Sequence, residues 1–178
     1  MSLEDFMRYT PATLNFKKTK ETLDFKKNYI IFDKLGKRIS LKLNKVNIPF
    51  GVESYNGKSI LNIEIIPESS NDHYNLFSAI SGLEKQFAKI DKFTDKKVIE
   101  DIEDKGYYQN MKNSRTGNII RTYIFTQPNV FSSLGKMTLA DTKKVKANVE
   151  IELGSMWITE NNYGILWYVK SIEILYSL

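Results

Sequence analysis

Residues 111–147 hold seven basic side chains, Lys112, Arg115, Arg121, Lys136, Lys143, Lys144 and Lys146, beside one acid, Asp141. Aromatic residues run through this stretch and just ahead of it: Tyr107, Tyr108, Tyr123, Phe125 and Phe131. A second set lies near the start, where Phe16, Lys17, Lys18, Lys20, Phe25, Lys26 and Lys27 come largely from two copies of a Leu-x-Phe-Lys-Lys unit, at 14–18 and 23–27. Lysine and arginine along a groove can follow a string of phosphates. Flat rings can stack on unpaired bases, each stacked base contributing about 1–3 kcal/mol. Single-stranded nucleic acid, RNA as well as DNA, therefore suits the two residue types together. A solvated basic surface would more often include scattered acids. Rings on strands also build cores, so the spacing leaves open which aromatics stack and which are buried.

Other chemistries find less support. In GVESYNGKS, residues 51–59, five residues separate the first glycine from the Gly-Lys pair, where a phosphate loop has four. The stretch also leads into a strand rather than a helix, so it is a hairpin turn. Glu100, Asp101, Glu103 and Asp104 form a charge run that reads as a solvated helix face. Glu150 and Glu152 share a strand face, but no further acid–base or metal-ligating partner completes a site. The single histidine, His73, reads as a surface or capping residue. Cysteine is absent, which excludes disulfides and thiolate chemistry and fits a reducing compartment. No cofactor, metal site or enzymatic activity is expected.

The 178 residues suit one domain, and a hydrophobic content of 42% is enough for a core. No apolar run approaches the roughly 18 residues of a membrane span, and the start lacks a signal-peptide pattern. The net charge of +5 is unevenly spread. Residues 1–60 and 111–147 are basic, and residues 61–110 and 148–178 are acidic. Such segregation favours a local polyanion site.

The elements that must position these residues are mostly strands. Residues 1–11 read as a loose arm. Tyr29–Phe32 and Ile39–Ile48 alternate about the turn at Gly36 and form a hairpin. KSILNIEII follows the turn SYNG, with Leu61, Ile63 and Ile65 inward. A helix is predicted over Asp72–Ile90, carrying Leu76, Phe77, Ile80, Leu83, Phe87 and Ile90 at helical spacing. A weaker acidic helix, expected to be peripheral, covers Lys96–Lys105. Gly106–Asn118 reads as a long loop or hairpin tip. Ile119–Thr126 is a strand with Ile119, Arg121, Tyr123 and Phe125 on one face. Val149, Ile151 and Leu153 alternate inward, against Glu150 and Glu152. The last strand, Tyr163–Leu175, changes its buried face once, from Ile165, Trp167 and Val169 to Ile172 and Ile174, and that change implies a bulge or bend.

A mainly β fold with one major helix follows. Strands, one strong helix, then a closing hairpin is the order of an OB-fold-like five-stranded barrel. Its strands would be 22–33, 37–48, 57–66, 145–159 and 163–176. Residues 93–144 would form an insertion between the helix and the fourth strand. An open α+β sheet or a sandwich competes with this assignment.

The run Tyr163-Gly164-Ile165 through Val169-Lys170-Ser171-Ile172-Glu173-Ile174 resembles the closing strand of single-stranded DNA-binding proteins from phages and large cytoplasmic DNA viruses. The passage from ILNIEII into HYNLFSAISGLEKQF resembles the strand-to-helix passage of the poxvirus-type members. The resemblance covers about a third of the chain. It implies an OB-like barrel that coats single-stranded DNA without sequence preference during viral replication or recombination, with replication proteins as partners and the host cytoplasm as the site of action. Self-association is compatible with such a role. Many members carry an acidic C-terminal tail, whereas here ILYSL follows the strand directly, so recruitment through such a tail is not expected. The alternative is a viral structural or protein-interaction module whose basic face meets an acidic protein.

Overall fold

The computed structural model describes residues 1–19 and 27–178. In chain order the elements are α1 (Leu3–Met7), β1 (Leu14–Lys18), β2 (Lys27–Asp33), β3 (Ile39–Ile48), β4 (Val52–Tyr55), β5 (Lys58–Ile65), α2 (Asn71–Phe87) and α3 (Lys96–Ile102). There follow β6 (Gly106–Tyr107), β7 (Lys112–Asn113), β8 (Asn118–Tyr123), β9 (Asn129–Ser132), β10 (Gly135–Lys136), β11 (Val145–Ile158) and β12 (Asn162–Ser177). The chain divides into two compact units, and α2, β11 and β12 each contribute a segment to both.

Unit 1 comprises residues 1–39, 79–110 and 153–166. β1 and β2 pair antiparallel, Leu14 opposite Asp33 through Lys18 opposite Tyr29, and β2 then pairs with the last residues of β11. The hydrophobic face of this sheet is largely aromatic. Phe16, Phe87 and Phe93 pack with ring centroids 5.6–6.2 Å apart, and Tyr29 and Tyr163 extend the cluster. The edge-on pairs among the phenylalanines, Phe16–Phe87 and Phe87–Phe93, each add about 0.5–1.5 kcal/mol beyond the area they bury. The first eleven residues are not the loose arm expected. Ser2 caps α1 by accepting from the Asp5 N–H, and Phe6 is fully buried. One apolar ring anchors a segment whose neighbours are polar, and periodicity cannot register a single anchor. Helix α3 departs from expectation in the same direction: Val98 and Ile102 are buried, so its apolar stripe belongs to the core.

Buried tyrosine hydroxyls tie this unit together. Tyr163 donates to the Phe87 carbonyl at 2.6 Å, and burial pushes its phenol up to about 12. Tyr107 donates to the buried Glu84 carboxylate at 2.7 Å. Burial first, and the Glu84 charge second, raise the Tyr107 phenol well above the ordinary range. Because the folded state holds these phenols neutral, their contribution is complete below the unfolded value of about 10 and declines as pH rises past it. Thermal unfolding followed from pH 9 to about 12 is expected to show a falling Tm. Tyr163→Phe should flatten the fall. An equally steep fall in the variant would contradict the assignment to Tyr163.

Unit 2 comprises residues 40–78, 111–152 and 167–178. Five strands that all contribute to it are hydrogen-bonded as a ring, in the order β11–β3–β5–β8–β12 and back to β11. The fold is thus mainly β with one major helix and an OB-like closed ring of strands. Two details differ from the predicted barrel. β2 lies outside the ring, paired with β1 and β11, while β8 belongs to it although it comes from the stretch read as an insertion. Ring membership depends on which distant strands pair, which alternation within one strand does not encode. The residues predicted at 22–26 in the first barrel strand lie outside the described residues.

Each ring strand places apolar side chains inward. Leu61, Ile63 and Ile65 of β5 face the interior with Ile120 of β8, Val149 and Ile151 of β11, and Trp167 of β12. The buried positions of β12 change phase after Lys170, as its spacing predicts, from Trp167 and Val169 to Ile172 and Ile174. Thr122, opposite Trp167, is buried without penalty because its hydroxyl donates to the Leu61 carbonyl at 2.6 Å. His73 is not a surface residue. It is 5% exposed, its Nδ1 accepts from the Ile66 N–H at 3.2 Å, and its Nε2 meets the Lys45 carbonyl at 2.7 Å. The proton therefore sits on Nε2, and the ring pins Lys45, whose backbone is left-handed at φ 55°. Among the described residues no helix is long and apolar enough to cross a membrane, and no cluster of three or more acidic or histidine side chains could hold a metal ion.

Candidate nucleic-acid interface

The outward side chains of β4, β5, β8 and β12 in unit 2 meet on one face. Register fixes which they are, because opposed residues of paired strands project to the same side. β5 and β8 pair with Ile60 opposite Tyr123, Asn62 opposite Arg121 and Glu64 opposite Ile119. β4 pairs with β5, Tyr55 opposite Lys58, and Tyr168 of β12 lies opposite Tyr123. β7 adds Lys112, opposite Ile119. The face therefore carries Tyr55, Lys58, Lys112, Arg121, Tyr123 and Tyr168 outward.

Two contacts organise it. The Arg121 guanidinium lies over the Tyr55 ring, 3.9 Å from its centroid, which couples a cation to a flat ring across strands. The Phe125 ring packs edge-on against Tyr168, with centroids 4.7 Å apart. Phe125 follows the end of β8, where the Ile124 N–H bonds the Ser59 carbonyl and keeps the chain beside β5. Tyr55 remains 41% exposed and Phe125 61% exposed, so both rings offer surface to a ligand. The Asn56-Gly57 turn that presents Tyr55 has positive φ at both positions, the geometry of a tight two-residue hairpin. The acids on this face are engaged by neutral donors: Glu64 accepts from Asn47, Ser114 and Thr116, and Glu53 accepts from Asn62.

The structure brings together Lys112, Arg121, Tyr123 and Phe125 of the sequence-predicted residues. Arg115 is exposed at the tip of the β7–β8 hairpin, which Gly117 closes by donating to the Ser114 hydroxyl at 3.0 Å. A Cβ at Gly117 would sit 2.5 Å from the Ile65 carbonyl oxygen, so only glycine fits there. Phe131 is half-buried on β9, opposite Lys136 of β10. Lys143 and Lys144 are exposed ahead of β11, and Lys146 is half-buried on its outward side.

The remaining predicted residues that the structure describes belong to unit 1. Lys17 and Lys18 are exposed on β1, whereas Phe16 between them and Leu14 joins the aromatic core. Lys27 forms an ion pair with Asp101, which also accepts from the Tyr29 hydroxyl. Burial works to raise the Asp101 carboxyl, but hydrogen bonds from Lys27 and Tyr29 hold it below the usual range. Tyr107 is committed to Glu84 and to an edge contact with Tyr163, while Tyr108 is exposed and tilted against Trp157 at 5.9 Å. Lys26 lies outside the described residues, as do Lys20 and Phe25.

Tyr55, Lys58 and Tyr168 are the members of the face that sequence reasoning missed. Tyr168 was open to it: if Trp167 and Val169 face inward, Tyr168 faces out. Tyr55 offered no such signal, since its partner Arg121 lies on a strand far along the chain.

No family model matches the sequence, and no curated protein matches it. Solved structures of one phage protein are among those that resemble the fold. The single-stranded DNA-binding protein from bacteriophage Enc34 in complex with ssDNA superposes with a TM-score of 0.50, covering 92% of this chain and 97% of that one at 11% identity. The C-terminally truncated form of that protein gives 0.48 over 92% and 95% at 12% identity. A further structure of that protein gives 0.48 over 90% and 89% at 12% identity. At this identity the likeness is one of fold.

Proposed function

We propose that this chain binds single-stranded DNA without sequence preference, through the outward face of β4, β5, β8 and β12. The observation that carries the reading is the pairing of Arg121 over Tyr55 with Phe125 against Tyr168 on one face, flanked by Lys58 and Lys112. Cations over a phosphate track and rings under unpaired bases are what sequence-tolerant strand binding requires. Support comes from the fold shared with a phage protein whose structure holds ssDNA. A role in replication or recombination of a phage or of a poxvirus-like virus extends the same reading, as does action as one nucleic-acid-binding domain without enzymatic activity. RNA satisfies the same contacts and enters the test as a competitor.

Fluorescent poly-dT titrated beside a duplex of equal length is the direct test. Tight binding to poly-dT and weak binding to the duplex is the expected result. Binding to neither would favour a module for an acidic protein partner instead. Repeating the titration across salt concentrations should give a log–log slope near −0.7 per phosphate neutralised. A face with three cations predicts a slope of about −2 from this face alone, and a slope near zero would contradict phosphate contact.

A further inference from the structure

Unit 2 gathers a second set of cations and rings near the start of β11. Gly51, at φ 68°, is packed directly on Lys143: a Cβ there would sit 3.0 Å from the Lys143 Cβ. The adjacent Phe50 is 50% exposed. From the other side, the Leu178 N–H donates to the Lys144 carbonyl at 2.8 Å. That bond lays the end of β12, with Tyr176 two residues before Leu178, beside the start of β11. Tyr176 is 59% exposed, and Lys143 and Lys144 are exposed beside it. Two open rings and three lysines thus share one end of the unit.

The surroundings give this patch a direction. Further along β11 and β12 the outward positions turn acidic, with Glu150, Glu152 and a Glu173 carboxylate that accepts from Asn148 at 2.8 Å. A phosphate chain is repelled there. Asp141, the nearest acid in sequence, is taken up by the Thr138 N–H at 2.8 Å. On the remaining side, the turn over Leu139–Thr142 packs against β4. β4 starts next to Gly51 and ends at Tyr55, the ring beneath Arg121.

Resting on the function proposed above, we infer that Phe50, Lys143, Lys144, Lys146 and Tyr176 form a second subsite for the same single strand. The strand reaches it from Tyr55 along β4 and stops before the carboxylates of β11. The bound length therefore exceeds what the Tyr55–Tyr168 face covers alone. Flat rings beside lysines, continuous with that face, favour a polynucleotide here over an acidic peptide.

The test is a series of oligo-dT lengths across the range of about 4–16 nucleotides that one OB fold occupies. It is run on the wild-type chain and on Phe50→Ala/Tyr176→Ala and Lys143→Gln/Lys144→Asn variants. All four side chains are exposed, and asparagine tolerates the left-handed backbone of Lys144 at φ 55°. Wild-type affinity should rise with length and then level off. Both variants should bind the shortest oligonucleotide as the wild type does but level off at a shorter length. With the longest oligonucleotide the ring variant should lose about 30-fold or more, at the cited energy per stacked base. The lysine variant should lose about 1.4 from the salt slope, two phosphates at 0.7 each. Unchanged levelling-off lengths in both variants would overturn the subsite and leave the patch to another partner. A wild-type chain that binds no length would instead overturn the function on which it rests.

Discussion

Replacing Tyr55 and Phe125 together with alanine should lower affinity for poly-dT by about 2–6 kcal/mol, or roughly 30-fold to more than 10⁴-fold, while leaving thermal unfolding close to wild type. Each ring is expected to lose the energy of one stacked base. Stability should change little because both rings are open to solvent, and exposed substitutions of this kind usually stay within about 0.5 kcal/mol. Fluorescence titration gives the first quantity and calorimetry the second. Tyr55 contributes in a second way, since its ring holds the Arg121 guanidinium. Tyr55→Phe keeps the ring and should bind nearly as the wild type, whereas Tyr55→Ala should also flatten the salt slope. If the double variant loses stability and binding in proportion, the rings are structural and the face is not the site.

The largest effect on stability is expected at Trp167. It is fully buried, and its strand is hydrogen-bonded to both β8 and β11 in the ring. Trp167→Ala should cost about 3–5 kcal/mol, as for other buried tryptophans truncated to alanine. A domain holds only about 5–15 kcal/mol in total, so the urea midpoint should fall by about a fifth or more. A loss below about 1 kcal/mol would mean that the ring is not packed around this side chain. At low temperature, the fraction that remains folded should still bind poly-dT, because Trp167 faces inward while Tyr168 faces out.

These two variants separate what the sequence made legible from what it concealed. Alternation within a strand survives folding. The inward set Val149, Ile151 and Leu153, the phase change of β12 after Lys170, and the pairing of Arg121 with Tyr123 on one side of β8 were all readable from period two. The helix over Asn71–Phe87 was readable from its apolar stripe. Pairing between strands far apart in sequence was not, and for that reason β8 was taken for part of an insertion and β2 for a barrel strand. The same limit hid Tyr55, which stood out only as a turn residue. Phe16 shows the converse error. Its lysine neighbours suggested a surface ring, yet Leu14 and Phe16 share the apolar side of β1, and that side meets Phe87 and Phe93. Lys27 looked free in sequence because Asp101, its partner, sits on α3.

Ultraviolet crosslinking of oligo-dT to the chain, with the modified residues located by mass spectrometry, tests the central claim most directly. Adducts should fall on Tyr55, Tyr123, Phe125 and Tyr168. Adducts confined to the other exposed aromatic residues, such as Tyr74 or Tyr108, with none on the β4–β5–β8–β12 face, would contradict it.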